Sequence, residues 1–152
     1  MSVNEDNEYR KKVSKEVLES RKLWSSVVKN LSMRLKGDIK DIVDVQSEAI
    51  SHRQSVVEEV NIYTVRIAKL SKKIKNLHKQ RFEFYATSYQ VKTNGTEKLT
   101  LINADLSEYQ EFVDELDEHV NFLRETSKNF ADMNYGVKNR IELANILGGF
   151  KW

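Results

Sequence analysis

Apolar residues recur at steps of three and four between Glu8 and Lys36: Val13, Val17, Trp24, Val27 or Val28, Leu31 and Leu35. That spacing marks one face of an α-helix over residues 8–36. Gly37 stands where the glycine after a helix end belongs. Asp38, with Asp41 three residues on, fits the N-cap of a second helix, its carboxylate complementing the positive helix end. Residues 1–7 are polar and read as a loose tail.

The second helix, over residues 38–88, carries the clearest pattern. Alternating steps of three and four join Ile39, Ile42, Gln46, Ala49, Arg53, Val56, Val60, Tyr63, Ile67, Leu70, Ile74, Leu77, Arg81 and Phe84. A seam sustained this long is that of a coiled coil or long bundle. A helix of about 45 residues is about 68 Å long, so the expected molecule is elongated or assembles with copies of itself.

Residues 89–103 carry Asn94-Gly95 flanked by β-branched, alternating positions. This is a strong short-range signal for a β-hairpin, here over about 89–101 with a type I′ turn; a flexible loop between two helices is the other reading. Asp105 and Glu108 then resemble a capping box opening a helix over 105–147, with the stripe Leu106, Tyr109, Val113, Leu116, Val120, Leu123, Ser127, Phe130, Asn134, Val137, Ile141 and Ala144. Gly136 lies inside it, either a site of close approach by a neighbouring chain or a tolerated defect that costs about 1 kcal/mol. Gly148-Gly149 ends the helix, and 148–152 form a short aromatic tail. Long helices joined tightly fold back on each other. The expected fold is therefore all-α, one domain over 1–152: an antiparallel helical hairpin plus an N-terminal helix, with the small β-hairpin at its turn.

Composition narrows the class. No proline occurs in 152 residues and glycine only five times, so little interrupts long helices. The absence of cysteine removes disulfides and zinc–thiolate sites. No apolar run approaches the roughly 20 residues needed to span a bilayer. The polar start, Ser2 to Asp6, does not read as a signal peptide. A cytoplasmic protein without membrane attachment is expected.

The formal net charge is only +2, but it is unevenly distributed. Residues 64–92 hold eight basic side chains (Arg66, Lys69, Lys72, Lys73, Lys75, Lys79, Arg81, Lys92) against Glu83, a net of +7. Residues 104–127 hold eight acidic ones (Asp105, Glu108, Glu111, Asp114, Glu115, Asp117, Glu118, Glu125) against Arg124, a net of −7. The two segments could lie along each other and cancel, each exposed pair contributing under about 1 kcal/mol. Alternatively, part of the basic face points to a polyanion. Cations neutralise phosphates and release counterions, and rings such as Phe82, Phe84, Tyr85 and Tyr89 stack on unpaired bases. Arg81 occupies a seam position. Either the seam opens there, or Arg81 pairs with an acid on the facing helix, or it faces a solvated groove.

Lys79-Gln80-Arg81-Phe82-Glu83-Phe84-Tyr85 resembles the K-x-R motif followed by a large apolar residue and two aromatics in the phage UvsY family of recombination mediators. Ile102-Asn103-Ala104-Asp105 and the run Met133 to Glu142 are similar to later stretches of that family, in the same order, across about residues 65–149. The segment before about residue 40 is longer than in familiar members, Phe82 replaces a leucine, and the tail departs. The resemblance implies a homo-oligomeric ring, of six or seven subunits, that binds single-stranded DNA. It further implies a role in loading a RecA-like recombinase onto DNA coated by single-strand DNA-binding protein, with no catalysis and no cofactor. The K-x-R motif falls on Lys79 and Arg81. With the basic and aromatic residues around it, the expected DNA-binding set is Lys72, Lys73, Lys75, His78, Lys79, Arg81, Phe82 and Tyr85. The family's assembly element falls on the C-terminal helix, here Phe130, Met133, Val137, Ile141, Ala144 and Leu147.

His52, His78 and His119 are dispersed and none completes a metal-ligand pattern; His119 reads as a satisfied helix-face residue, and His78 could add to the basic face at low pH. No phosphate-binding glycine loop or hydrolase motif is present. The competing functional class is a structural or adaptor coiled coil that binds another protein and not nucleic acid. The N-terminal helix could serve as an extra packing layer or as a partner-binding arm.

Overall fold

A computed structural model describes residues 3–89 and 91–148. The described chain is all-α: α1 (Val3–Arg34), α2 (Ile39–Glu83), a π-helical turn (Phe84–Ser88), α3 (Gly95–Asp105) and α4 (Ser107–Gly148). It divides into two compact units. One comprises Met1–Asn61 and His119–Trp152, the other Ile62–Glu118, and both α2 and α4 pass from one to the other.

In the first unit the apolar stripes meet. Val13, Val17, Trp24 and Leu31 of α1, Ile42, Val45, Ala49 and Val56 of α2, and Val120, Leu123, Phe130, Met133 and Val137 of α4 are buried. At its centre the rings of Trp24, His52 and Phe130, one from each helix, lie 5.7–6.0 Å apart. A buried indole needs a partner for its N–H. Trp24 Nε1 donates to Glu59 (2.5 Å), whose other oxygen accepts from the Ser20 hydroxyl (2.8 Å). α1 is thus a packing layer, as one of its two readings held. The seam on α2 is buried at Ile42, Ala49, Val56 and Tyr63, but Arg53 is exposed. His52 takes the inward place beside Trp24 and Phe130, because an imidazole can pack on rings while a guanidinium there would stay unsolvated.

Short-range chemistry sets the turns. Asp38 Oδ1 accepts the Asp41 N–H at 3.0 Å, the expected N-cap of α2. Gly37 is not in left-handed backbone; a Cβ there would lie 2.6 Å from Asp41 Oδ2, a side-chain end that can swing aside, and 3.1 Å from the Arg34 carbonyl, a tight fit. Arg140 of α4 donates to the Leu35 carbonyl at the end of α1, and Arg34 pairs with Glu48.

Three expectations are corrected. Residues 3–7 are helical, not a loose tail. No β-hairpin forms among the described residues of 89–101. Asn94 caps α3, its side chain accepting from Glu97 N–H (2.8 Å) while Glu97 Oε2 accepts from Asn94 N–H (3.1 Å). This reciprocal pair satisfies two donors at once, which a type I′ turn at the same residues would not. Asp105 does not open the last helix; it closes α3, and its carboxylate is engaged by Tyr85, leaving Leu106 as the joint. Gln90 of the expected hairpin, Met1 and Ser2 of the tail, and residues 149–152 lie outside the described residues.

Candidate nucleic-acid interface

The second unit is built around Tyr85, Ile102 and Leu106, packed by Ile74, Leu77, Leu101 and Tyr109. Because Ile74 and Leu77 turn α2 inward there, helical geometry turns its other side to solvent. On that side lie Lys69, Lys72, Lys75, Lys79 and Phe82, at steps of three, three, four and three. The row is about 20 Å long. All four lysines are exposed and make no ion pair among the described residues. No acid of the −7 segment forms a direct ion pair with the row among the described residues.

The remaining candidates separate by environment. Lys73 is half-buried, its ammonium 5.4 Å from the Tyr109 ring centroid on α4. His78 is half-buried. Arg81 pairs with an acid, as one of its readings had it: its Nε is 3.8 Å from Asp105 Oδ2, and its side chain stays 49% exposed. An exposed pair at that distance contributes little.

Tyr85 is a correction. It is buried, and its hydroxyl donates to Asp105 Oδ2 at 2.6 Å. That hydrogen bond to the carboxylate, with burial and the Asp105 charge, raises its pKa above the usual tyrosine value. Its ring packs edge-on against Phe84 (5.1 Å) and Tyr89 (5.0 Å), leaving no face for a base. The half-exposed rings are Phe82, Phe84 and Tyr89. The π turn that gathers them closes through Tyr89 N–H donating to the Phe84 carbonyl at 2.9 Å, with Thr87 Oγ1 donating to Glu83 O (2.7 Å). Such turns recur at functional sites.

Phe82 has a partner that the sequence did not indicate. Lys98 of α3 places its Nζ 5.7 Å from the Phe82 centroid. In sequence Lys98 sits in a segment of balanced charge, and only the fold of α3 brings it to the row.

The expected assembly residues also divide. Phe130, Met133 and Val137 are buried in the chain's own first unit, so they are core and not free surface. Ile141 and Ala144 are half-buried, and Leu147 is exposed. Beside Leu147 stand exposed Leu143 and Ile146, an apolar end of α4 that the stripe did not predict. A Cβ on Gly136 would meet nothing within 4 Å.

Among the described residues no three His, Asp or Glu side chains converge on a metal site, and no helix is long and apolar enough to cross a membrane. No protein-family model, curated protein or solved structure matches the chain.

Proposed function

We propose that this chain binds single-stranded DNA through the outer face of α2 and serves as a recombination mediator. The observation that carries the binding is the unpaired lysine row ending in a half-exposed ring: Lys72, Lys75, Lys79 and Phe82 on one helix face. Lysines at that spacing neutralise successive phosphates without reading sequence, and a ring at the end favours unpaired bases. Arg81, held loosely beside Asp105, adds a further cation. The mediator role, and its RecA-like recombinase and single-strand DNA-binding protein partners, rest on the resemblance of Lys79-Gln80-Arg81 and its sequels to the UvsY family.

Titration of a labelled oligo(dT) strand of about 30 nucleotides at moderate salt tests the reading. Wild type should bind. Lys79→Ala with Arg81→Ala should weaken binding and flatten its salt dependence while helicity is retained. An unchanged affinity in the double variant assigns the site elsewhere. No binding by wild type favours the adaptor reading, for which the exposed apolar end of α4, Ile146 at 80% and Leu147 at 77%, supplies the docking surface.

A further inference from the structure

We propose that Phe82 and Lys98 together form a seat for one unpaired base, and that this seat makes the lysine row prefer single strands over duplexes. The inference rests on the reading of α2 as a nucleic-acid interface and adds to it a second element, α3, and a determinant of specificity.

Lysines alone do not supply that preference, since duplex and single strand both present phosphates. A discriminating group must contact something only the single strand offers, and an open base face is such a feature. Phe82 is the ring in step with the row, three positions beyond Lys79 and seven beyond Lys75. It is 49% exposed, so a ring face is accessible without unfolding. Phe84 and Tyr89 are committed to the aromatic cluster with Tyr85.

Lys98 limits and strengthens the seat. Its ammonium stands over Phe82 within cation–π range and has no ion-pair partner among the described residues. With one side of the ring covered, the other takes a single base. The ammonium is then free to meet a phosphate of the strand that flanks the stacked base, so α3 and α2 hold the strand from two directions. α3 can do this because the Asn94–Glu97 capping box fixes where the helix begins, and Ile102 anchors its other end in the core.

Binding of Phe82→Leu and Lys98→Met is compared with wild type on oligo(dT) and on a duplex of equal length at one salt concentration. Phe82→Leu should lower single-strand affinity by roughly 5- to 150-fold, the worth of one stacked base, and leave duplex affinity within about twofold. Lys98→Met should reduce the single-strand salt slope by about 0.7, one phosphate contact. Its effect on affinity should shrink in the Phe82→Leu background, because the ring holds the ammonium in place. Phe82→Tyr keeps the ring and should keep the preference, which separates stacking from any effect on folding. Equal losses on both substrates in Phe82→Leu, or loss of the preference in Phe82→Tyr, overturn the seat. An unchanged slope in Lys98→Met overturns the part played by α3. If Lys79→Ala with Arg81→Ala weakens binding but Phe82→Leu leaves the single-strand to duplex ratio unchanged, the seat fails and the interface stands. If wild type binds neither substrate, both fail.

Discussion

Burial decides the protonation of His119. Its ring lies inside the first unit, stacked on Phe122 at 6.0 Å, while the Arg21 guanidinium sits over the same Phe122 at 5.3 Å. Desolvation first, and the Arg21 charge second, push its pKa down from 6.5 to about 4. An imidazole in the unfolded chain takes a proton below about 6.5. Between about pH 6.5 and 4 the unfolded state therefore binds more protons, and stability falls as pH falls through that window. The slope is up to about 1.4 kcal/mol per pH unit, on the order of 3 kcal/mol in all, and it levels off below about pH 4. Urea unfolding across this range should show a shallower acid loss in His119→Gln than in wild type. An identical loss in both places the acid sensitivity in the carboxylates instead. Gly136 gives a second residue-scale test. With open space where its Cβ would stand, Gly136→Ala should raise stability by about 1 kcal/mol. A fall in oligomer mass in the same variant shows a neighbouring chain packed against that face.

At the scale of elements, α3 is the informative case. Asn94-Gly95 matches a hairpin turn, and Asn94 with Glu97 matches a helix start. The two readings make opposite demands on Gly95. A type I′ turn needs positive φ there, whereas at the first position of α3 the glycine has ordinary helical freedom and nothing within 4 Å of a Cβ. Gly95→Ala should thus be neutral or slightly stabilising, and Asn94→Ala should cost about 1 kcal/mol through loss of the cap. A thermal melt in which Gly95→Ala is the more damaging change contradicts the helix. The rest of the element plan was largely legible: the α1 stripe at Val13, Val17, Trp24 and Leu31, the Asp38 cap, and the shared seam positions of α2 are local signals of period and capping. What was not legible is tertiary. A strict three-four seam places Arg53 inside, but which of two adjacent polar residues turns inward depends on the rings of Trp24 and Phe130 from other helices. Likewise Tyr85 looks like any ring beside a basic run until Asp105 arrives to accept its hydroxyl. Lys98 carries no signal at all until α3 folds beside Phe82.

For the whole molecule, the near-neutral charge of +2 conceals a chain whose basic residues have different partners. Lys73 rests on Tyr109 and Arg66 on Tyr63, while Lys69, Lys72, Lys75 and Lys79 face solvent. The ring that the resemblance to the UvsY family implies is a question at this scale as well, and the exposed end of α4 offers a surface on which to test it. Ile146→Glu with Leu147→Glu should lower the mass measured by light scattering if copies meet there, whereas an unchanged oligomer places the contact elsewhere. The central claim is that the row on α2 neutralises phosphates, and its most direct test is the salt dependence of oligo(dT) binding. Wild type should show a linear fall of log affinity with log salt. Replacing Lys72, Lys75 and Lys79 together by alanine should reduce that slope by about 2, at about 0.7 per single-strand phosphate contact. A slope unchanged by the triple replacement contradicts the account.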